Sequence, residues 1–140
     1  MENGQTVGFT AGAFDMFHIG HLNLINNARK LCDYLIVGVN SDELIKHYKN
    51  KIAIIPFEER LAIVSSIKGV DRTVRIDSLD KELVWKETAY DLLFIGSDWQ
   101  GNERWKQTEQ KMAVYGVKVI YLPYTEGTNS SVIREKLLAY

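Results

Sequence analysis

The chain has 140 residues, enough for one domain with a real core and too few for two ordinary ones. Its 17 basic and 18 acidic residues leave a net charge of −1, which argues against a sequence-independent nucleic-acid binder, because such a protein needs a basic face to displace counterions. No apolar run approaches the ~20 residues that span a bilayer, and the single cysteine excludes an internal disulfide.

The first five residues, Met1-Glu2-Asn3-Gly4-Gln5, are polar and acidic, which predicts a cytoplasmic protein without a signal peptide. Thr6–Thr10 reads as a first strand. After it, Leu22, Leu24, Ile25, Ala28 and Leu31 form a helical stripe, with Cys32 expected as a small buried residue near the helix end. Tyr34–Asn40 is a second strand, and Ser41-Asp42-Glu43 looks like the start of a short helix. Pro56, ahead of Phe57-Glu58-Glu59-Arg60, suits a first helical turn, and Leu61, Ile63, Val64 and Ile67 continue that stripe. Arg72–Arg75, Leu92–Ile95 and Lys118–Leu122 are the remaining strands, and a last helix starts near Ser130 or Ser131. The second, fourth and fifth strands are almost continuously apolar, as expected of strands covered on both faces.

This alternation predicts one α/β domain over residues 1–140, a doubly wound five-stranded parallel sheet with helices on both faces. Ligands of such sheets bind outside the carboxyl ends of the strands, where the strand order reverses. The site should therefore be built from residues 11–21, 41–56, 96–104 and 123–131.

Within the first of these segments, Gly12 permits close backbone approach. His18 and His21 stand three apart around Gly20, at the expected N-terminus of the first helix. One turn places both imidazoles on one side, where free N–H groups and the helix dipole favour phosphate. Two imidazoles add donors that can follow phosphate oxygens as charge builds in a transition state. A zinc site would need a third or fourth ligand, and none lies nearby in the sequence. After the fifth strand, Tyr124-Thr125-Glu126-Gly127-Thr128-Asn129-Ser130-Ser131 supplies glycine and hydroxyl residues for a second phosphate cradle, though Ser130 alone would serve as an N-cap.

The run Gly12-Ala13-Phe14-Asp15-Met16-Phe17-His18-Ile19-Gly20-His21 resembles the G-x-F-D-x-x-H-x-G-H signature of the cytidylyltransferase-like nucleotidyltransferases. Over about residues 6–138, the chain is most similar in length and motif order to bacterial glycerol-3-phosphate cytidylyltransferases. The resemblance implies a Rossmann-like fold and transfer of CMP from CTP to a phosphorylated small molecule. It also implies Mg²⁺ carried with the triphosphate, and a homodimer. His18, His21 and Lys51 would be catalytic. Gly12, Ala13, Phe14, Asp15, Gly20 and Asp98 would meet the nucleotide, as would Tyr124, Thr125, Glu126, Gly127, Thr128, Asn129, Ser130 and Ser131.

Relatives carry R-T-E-G-I-S-T-T in the second cradle, so Tyr124 replaces an arginine and Asn129 a serine. A phenol is no equivalent of a guanidinium. Arg134, one turn into the helix, is the candidate replacement cation, as in the Ser-Ser-x-x-Ile-Arg run of adenylyltransferases. Lys49 and Lys51, in the expected loop after the second strand, match the family's lysine pair if one residue is inserted. Lys49, Arg60, Lys68, Asp71 and Lys81 are the acceptor-binding candidates. In Gly96-Ser97-Asp98-Trp99-Gln100-Gly101, Ser97 replaces an acid, and Trp99 either stacks on the base or closes the pocket. Open alternatives are ATP as donor; sugar phosphate, phosphocholine or phosphoethanolamine as acceptor; and a non-catalytic nucleotide-binding module.

Overall fold

The computed structural model describes residues 4–123, 125 and 130–139. Five strands form one parallel sheet: β1 (Val7–Gly12), β2 (Tyr34–Asn40), β3 (Arg72–Ile76), β4 (Leu92–Gly96) and β5 (Lys118–Leu122). Their order is β3-β2-β1-β4-β5, so the chain moves outward from β1 on one side and then returns to lay β4 against its other edge. That reversal lies between β1 and β4, and the carboxyl ends of those two strands are where a crevice is expected.

The centre of the sheet is formed by its two longest strands. β1 and β2 pair from Val7 with Tyr34 through Gly12 with Val39. Leu35, Ile36, Val37 and Val39 are buried, and Thr10 satisfies its hydroxyl in the core by donating to the Phe94 carbonyl at 3.0 Å. One core lies on each face of the sheet. Phe9, Ile36, Leu44, Tyr90, Leu93, Trp105 and Met112 fill one, while Phe14, Ile25, Val37, Phe57, Val64 and Phe94 fill the other. β5, expected to be covered on both faces, is an edge strand and only half-buried along most of its length.

Six α-helices cover the sheet among the described residues: α1 (Ile19–Arg29), α2 (Asp42–Lys49), α3 (Phe57–Ser65), α4 (Lys81–Thr88), α5 (Glu103–Ala113) and α6 (Ser130–Leu138). Ser41 caps α2 by accepting from the Leu44 N–H at 3.1 Å. Pro56 lies one residue ahead of α3 rather than in its first turn. Lys49 belongs to the last turn of α2, so the expected loop after β2 starts only at Asn50, whose left-handed φ of 52° ends the helix. Cys32 is half-buried beyond α1, its thiol near the Ala28 carbonyl, and burial pushes its pKa up. No helix among the described residues is long and apolar enough to cross a membrane.

Candidate active site

The turn after β1 is built under backbone tension. Phe14 and Met16 both adopt the left-handed region, with φ of 51° and 50°. Such conformations cost non-glycine residues free energy and persist only where surrounding contacts fix them. Here the Phe14 ring is buried and meets the His21 ring edge-on at 5.3 Å. Gly12 suits that packing, since a Cβ there would stand 3.3 Å from the Phe14 ring and press it aside by a few tenths of an ångström.

Asp15, 6% exposed, is the second anchor. Its carboxylate accepts from the Ile54 and Ile55 N–H groups at 2.8 and 2.9 Å and pairs with Arg134 at 3.1 Å. Its carbonyl accepts from the Ser130 hydroxyl at 2.7 Å. One acidic residue thus ties the turn after β1 to the loop after α2 and to the start of α6. Asp15 is an organiser of the loops, and its oxygens are already committed.

His18 caps α1, and the two histidines are joined reciprocally. His18 Nδ1 accepts from the Gly20 N–H at 3.1 Å, and His21 Nδ1 accepts from the His18 N–H at 3.2 Å. The rings stack at 3.7 Å between centroids. Two of the N–H groups expected to be free for phosphate are therefore taken by imidazole. The same bonds place the proton of each neutral ring on Nε2, because a nitrogen that accepts cannot carry it. Burial pushes the His21 pKa down to about 3, reinforced by charge on His18 and opposed by Asp15; burial lowers His18 as well. Near neutral pH the pair is two uncharged N–H donors.

Both rings line a cavity of about 450 Å³ at the carboxyl ends of β1 and β4. Of the residues read from sequence, Gly12, Ala13, Phe14, Asp15, Gly20, Lys49, Lys51, Asp98, Thr125, Ser130, Ser131 and Arg134 line it too. All four predicted segments contribute. Thr125 is fixed by a bond from Asn23 Nδ2 at 3.0 Å. Tyr124, Glu126, Gly127, Thr128 and Asn129 lie outside the described residues. Ser97, Asp98 and Trp99 form a short 3₁₀ turn that brings Asp98 and Trp99 to the rim.

Four acceptor-binding expectations do not reach the cavity. Arg60 is 1% exposed and its guanidinium is spent inside the protein. It donates to the carbonyls of Ile55, Ala13 and Asn40 at 2.8, 2.7 and 2.7 Å and pairs with Asp42 at 2.6 Å. Lys68 and Asp71 sit at the opposite end of the sheet, in a shallow hollow beside α1. There Asp71 pairs with Arg29 and accepts from the Leu35 N–H at 2.8 Å. Lys81 opens α4 with its ammonium over the Trp105 ring, 5.6 Å from the centroid. Burial and the Arg104 charge push its pKa down to about 8. No expected element covers α4, α5 or Arg104; Asp80 and Asn102, which cap the two helices, are the local signals that mark them.

The donor set bears on metal binding. No cluster of three or more His, Cys, Asp or Glu side chains among the described residues is arranged to hold an ion. Both histidine Nδ1 atoms and the Asp15 carboxylate are already engaged. Asp98 is the cavity carboxylate with no bond to a described residue. Such a site fits a hard cation that arrives on phosphate oxygens and takes at most one protein carboxylate.

Comparison with known proteins places the chain. Residues 9–136 match the model of the cytidylyltransferase-like family. The chain is 30% identical over 135 residues to a glycerol-3-phosphate cytidylyltransferase of Bacillus subtilis (strain 168), covering 91% of this chain and 94% of that protein. It is 31% identical over 137 residues to the bifunctional protein HldE of Citrobacter koseri, covering 97% of this chain but spanning only 28% of that relative's length. Among solved structures, a lipopolysaccharide core biosynthesis protein from Thermoplasma volcanium GSS1 superposes with a TM-score of 0.76 at 28% identity, over 88% of this chain and all of that one.

Proposed function

The chain belongs to the cytidylyltransferase-like family, and from that premise we propose that it transfers CMP from CTP to a small phosphorylated alcohol, glycerol 3-phosphate foremost, releasing pyrophosphate. The observation that carries this reading is the reciprocal capping of His18 and His21. It leaves two neutral Nε2–H donors on the wall of a cavity that Lys49, Lys51 and Arg134 make cationic.

The reaction is an in-line displacement. An oxygen of the acceptor phosphate attacks the α-phosphorus, the bond to the oxygen bridging the β-phosphate breaks, and pyrophosphate leaves with that electron pair. The acceptor phosphate is ionised at neutral pH, so no protein nucleophile is needed and catalysis consists of positioning and charge stabilisation. His18 and His21 donate to the transferring and leaving phosphates as their charge grows. Lys51 and Arg134 hold the triphosphate, Lys49 the acceptor phosphate, and Ser130 and Ser131 border the nucleotide. Mg²⁺ carried on the triphosphate would be held by phosphate oxygens, with Asp98 as the cavity carboxylate open to it, and would supply neutralisation of phosphate charge. The homodimer implied by the resemblance and the cytoplasmic location expected from the polar first residues belong to the same proposal.

A sugar phosphate is the second acceptor reading, favoured by the fold shared with a lipopolysaccharide core biosynthesis protein. ATP is the second donor reading, favoured by Tyr124 in place of the relatives' arginine. Pyrophosphate release, measured for each of the four triphosphates against a panel of phosphorylated acceptors, tests the proposal. CTP with glycerol 3-phosphate is expected to lead; silence from every pair would leave a non-catalytic nucleotide-binding module.

A further inference from the structure

The two histidines of the site are not housed alike. His21 is enclosed by three rings: His18 stacks on it at 3.7 Å, Phe14 meets it edge-on at 5.3 Å and Phe17 lies tilted against it at 5.2 Å. Phe14 and Phe17 also meet each other, 6.3 Å between centroids, so the two phenyl rings form one apolar wall. His18 has no such neighbour among the described residues; its ring contact is His21.

Chain geometry puts Phe17 there. Met16 turns the backbone through the left-handed region, and Phe17 comes just ahead of the His18 N-cap. An apolar residue in that position commonly packs back on the start of the helix and fixes the angle at which the chain enters it. Here the ring lies on His21, the third helical residue. Phe17 is half-buried, packs against the core on that face of the sheet and does not line the cavity. Any effect it has on a bound substrate therefore passes through another side chain.

We infer that Phe17 is a positioning residue for the transfer: with Phe14 it forms a socket that fixes the plane of the His21 imidazole, keeps water from it and so holds Nε2–H toward the phosphates. The inference rests on the transferase reading. The same socket guards the helix cap. A proton on His21 Nδ1 would destroy the acceptor that holds the His18 N–H at 3.2 Å, and apolar walls oppose that proton because they disfavour the charged ring. Burial is the largest influence holding the His21 pKa down; the charges of His18 and Lys49 act in the same direction and Asp15 acts against them.

Phe17 is the half of the socket open to test, because Phe14 is buried in the left-handed turn. Phe17→Ala opens one side of His21 to water, and Phe17→Leu keeps most of the apolar volume without the ring. The imidazole signals of His18, His21 and His47 are followed by NMR on the intact chain from pH 8 to pH 3, and kcat and KM by pyrophosphate release from CTP with glycerol 3-phosphate. In Phe17→Ala the His21 midpoint, about 3 in the wild type, is expected to rise by about one pH unit or more. Its kcat should fall about tenfold, with KM for CTP changed less than about twofold. Phe17→Leu, the variant that preserves packing, should move midpoint and kcat in the same directions by less. A His21 midpoint unmoved in both variants overturns the inference whatever happens to kcat, since packing alone then accounts for Phe17. A raised midpoint with unchanged kcat overturns it as well. Silence of the wild type with every pair of triphosphate and acceptor overturns the transferase reading, while a raised midpoint would still assign Phe17 to His21.

Discussion

His18 and His21 hold each other's side chains in place through the backbone between them: each Nδ1 accepts a main-chain N–H, at 3.1 and 3.2 Å, and the rings stack at 3.7 Å. Helix capping and donor placement are therefore one arrangement. The turn that starts α1 cannot relax without rotating an imidazole, and an imidazole cannot rotate without freeing a backbone donor. This couples the stability of the turn to the direction in which each Nε2–H points.

Alanine and asparagine variants separate the two roles. His18→Ala or His21→Ala removes cap and donor together, with an expected loss in kcat of about 10²–10³ each and a stability loss of about 1 kcal/mol. Asparagine keeps an acceptor oxygen near the Nδ1 position and discards the Nε2–H. His21→Asn should regain most of the stability in urea unfolding and none of the turnover in pyrophosphate release. Near-normal turnover in any of these variants would remove the histidines from the mechanism.

Acid sensitivity follows from the same burial. The His21 pKa is near 3 in the folded protein against an ordinary 6.5, so between those values the unfolded chain takes up a proton that the folded chain refuses. The contribution is fully present above pH 6.5 and is lost as pH falls toward 3, at up to about 1.4 kcal/mol per pH unit. His18 adds in the same direction. Urea midpoints for wild type and His21→Asn, measured from pH 8 to pH 4, should run parallel above pH 6.5, and below it the wild type should fall faster, so that the lines meet and cross. Parallel lines throughout would mean that His21 titrates normally.

What could be read from sequence, and what could not, follows from where the information lies. β2 and β5 match their expected spans residue for residue, because β-branched runs bounded by polar residues are local signals. α4 and α5 escaped because α4 buries no residue and α5 buries only Trp105 and Met112, too sparse a stripe to register as a helical period. The histidine pair was legible from residue type, spacing and position at a strand-to-helix junction. Arg60 was misread for the opposite reason. It was placed among the acceptor-binding candidates by resemblance, and its burial depends on carbonyls of Ala13 and Asn40, which only the tertiary fold brings to it. Lys68 and Asp71 were assigned by resemblance alone, although they lead into the strand that starts at Arg72 and so lie at the amino end of a parallel sheet, opposite the four segments expected to build the site.

Arg60 should accordingly behave as a strut. Arg60→Ala leaves three carbonyls and the Asp42 carboxylate without their donor, a loss of roughly 3–5 kcal/mol on the scale of broken buried pairs. Lysine cannot reproduce the planar fork, so Arg60→Lys should recover less than half of it. Urea unfolding reads the stability, and acceptor KM measured on the folded fraction of Arg60→Lys should change less than about twofold, within the scatter expected of a residue that makes no substrate contact. A KM rise of tenfold with little loss of stability would return Arg60 to the acceptor site.

The Asp15–Arg134 pair divides the labour between fold and ligand, and the two partners should fail differently. Asp15 also holds the Ile54 and Ile55 N–H groups, so Asp15→Asn turns an amide donor or a weaker acceptor toward two backbone donors. A stability loss of about 1–3 kcal/mol is expected. Arg134 has its Nε buried without a partner among the described residues, and its removal leaves the buried Asp15 carboxylate with both backbone donors, so Arg134→Met should cost less stability than Asp15→Asn. Its loss should appear instead as a KM for the triphosphate raised about tenfold, the value of a charge-assisted bond to phosphate. Thermal melts with and without the triphosphate distinguish the cases: the ligand-induced rise in Tm should shrink in Arg134→Met and persist in Asp15→Asn. If Arg134→Met melts as early as Asp15→Asn and keeps the full ligand-induced rise, Arg134 is a structural partner of Asp15 and another cation, Lys51 first, carries the triphosphate alone.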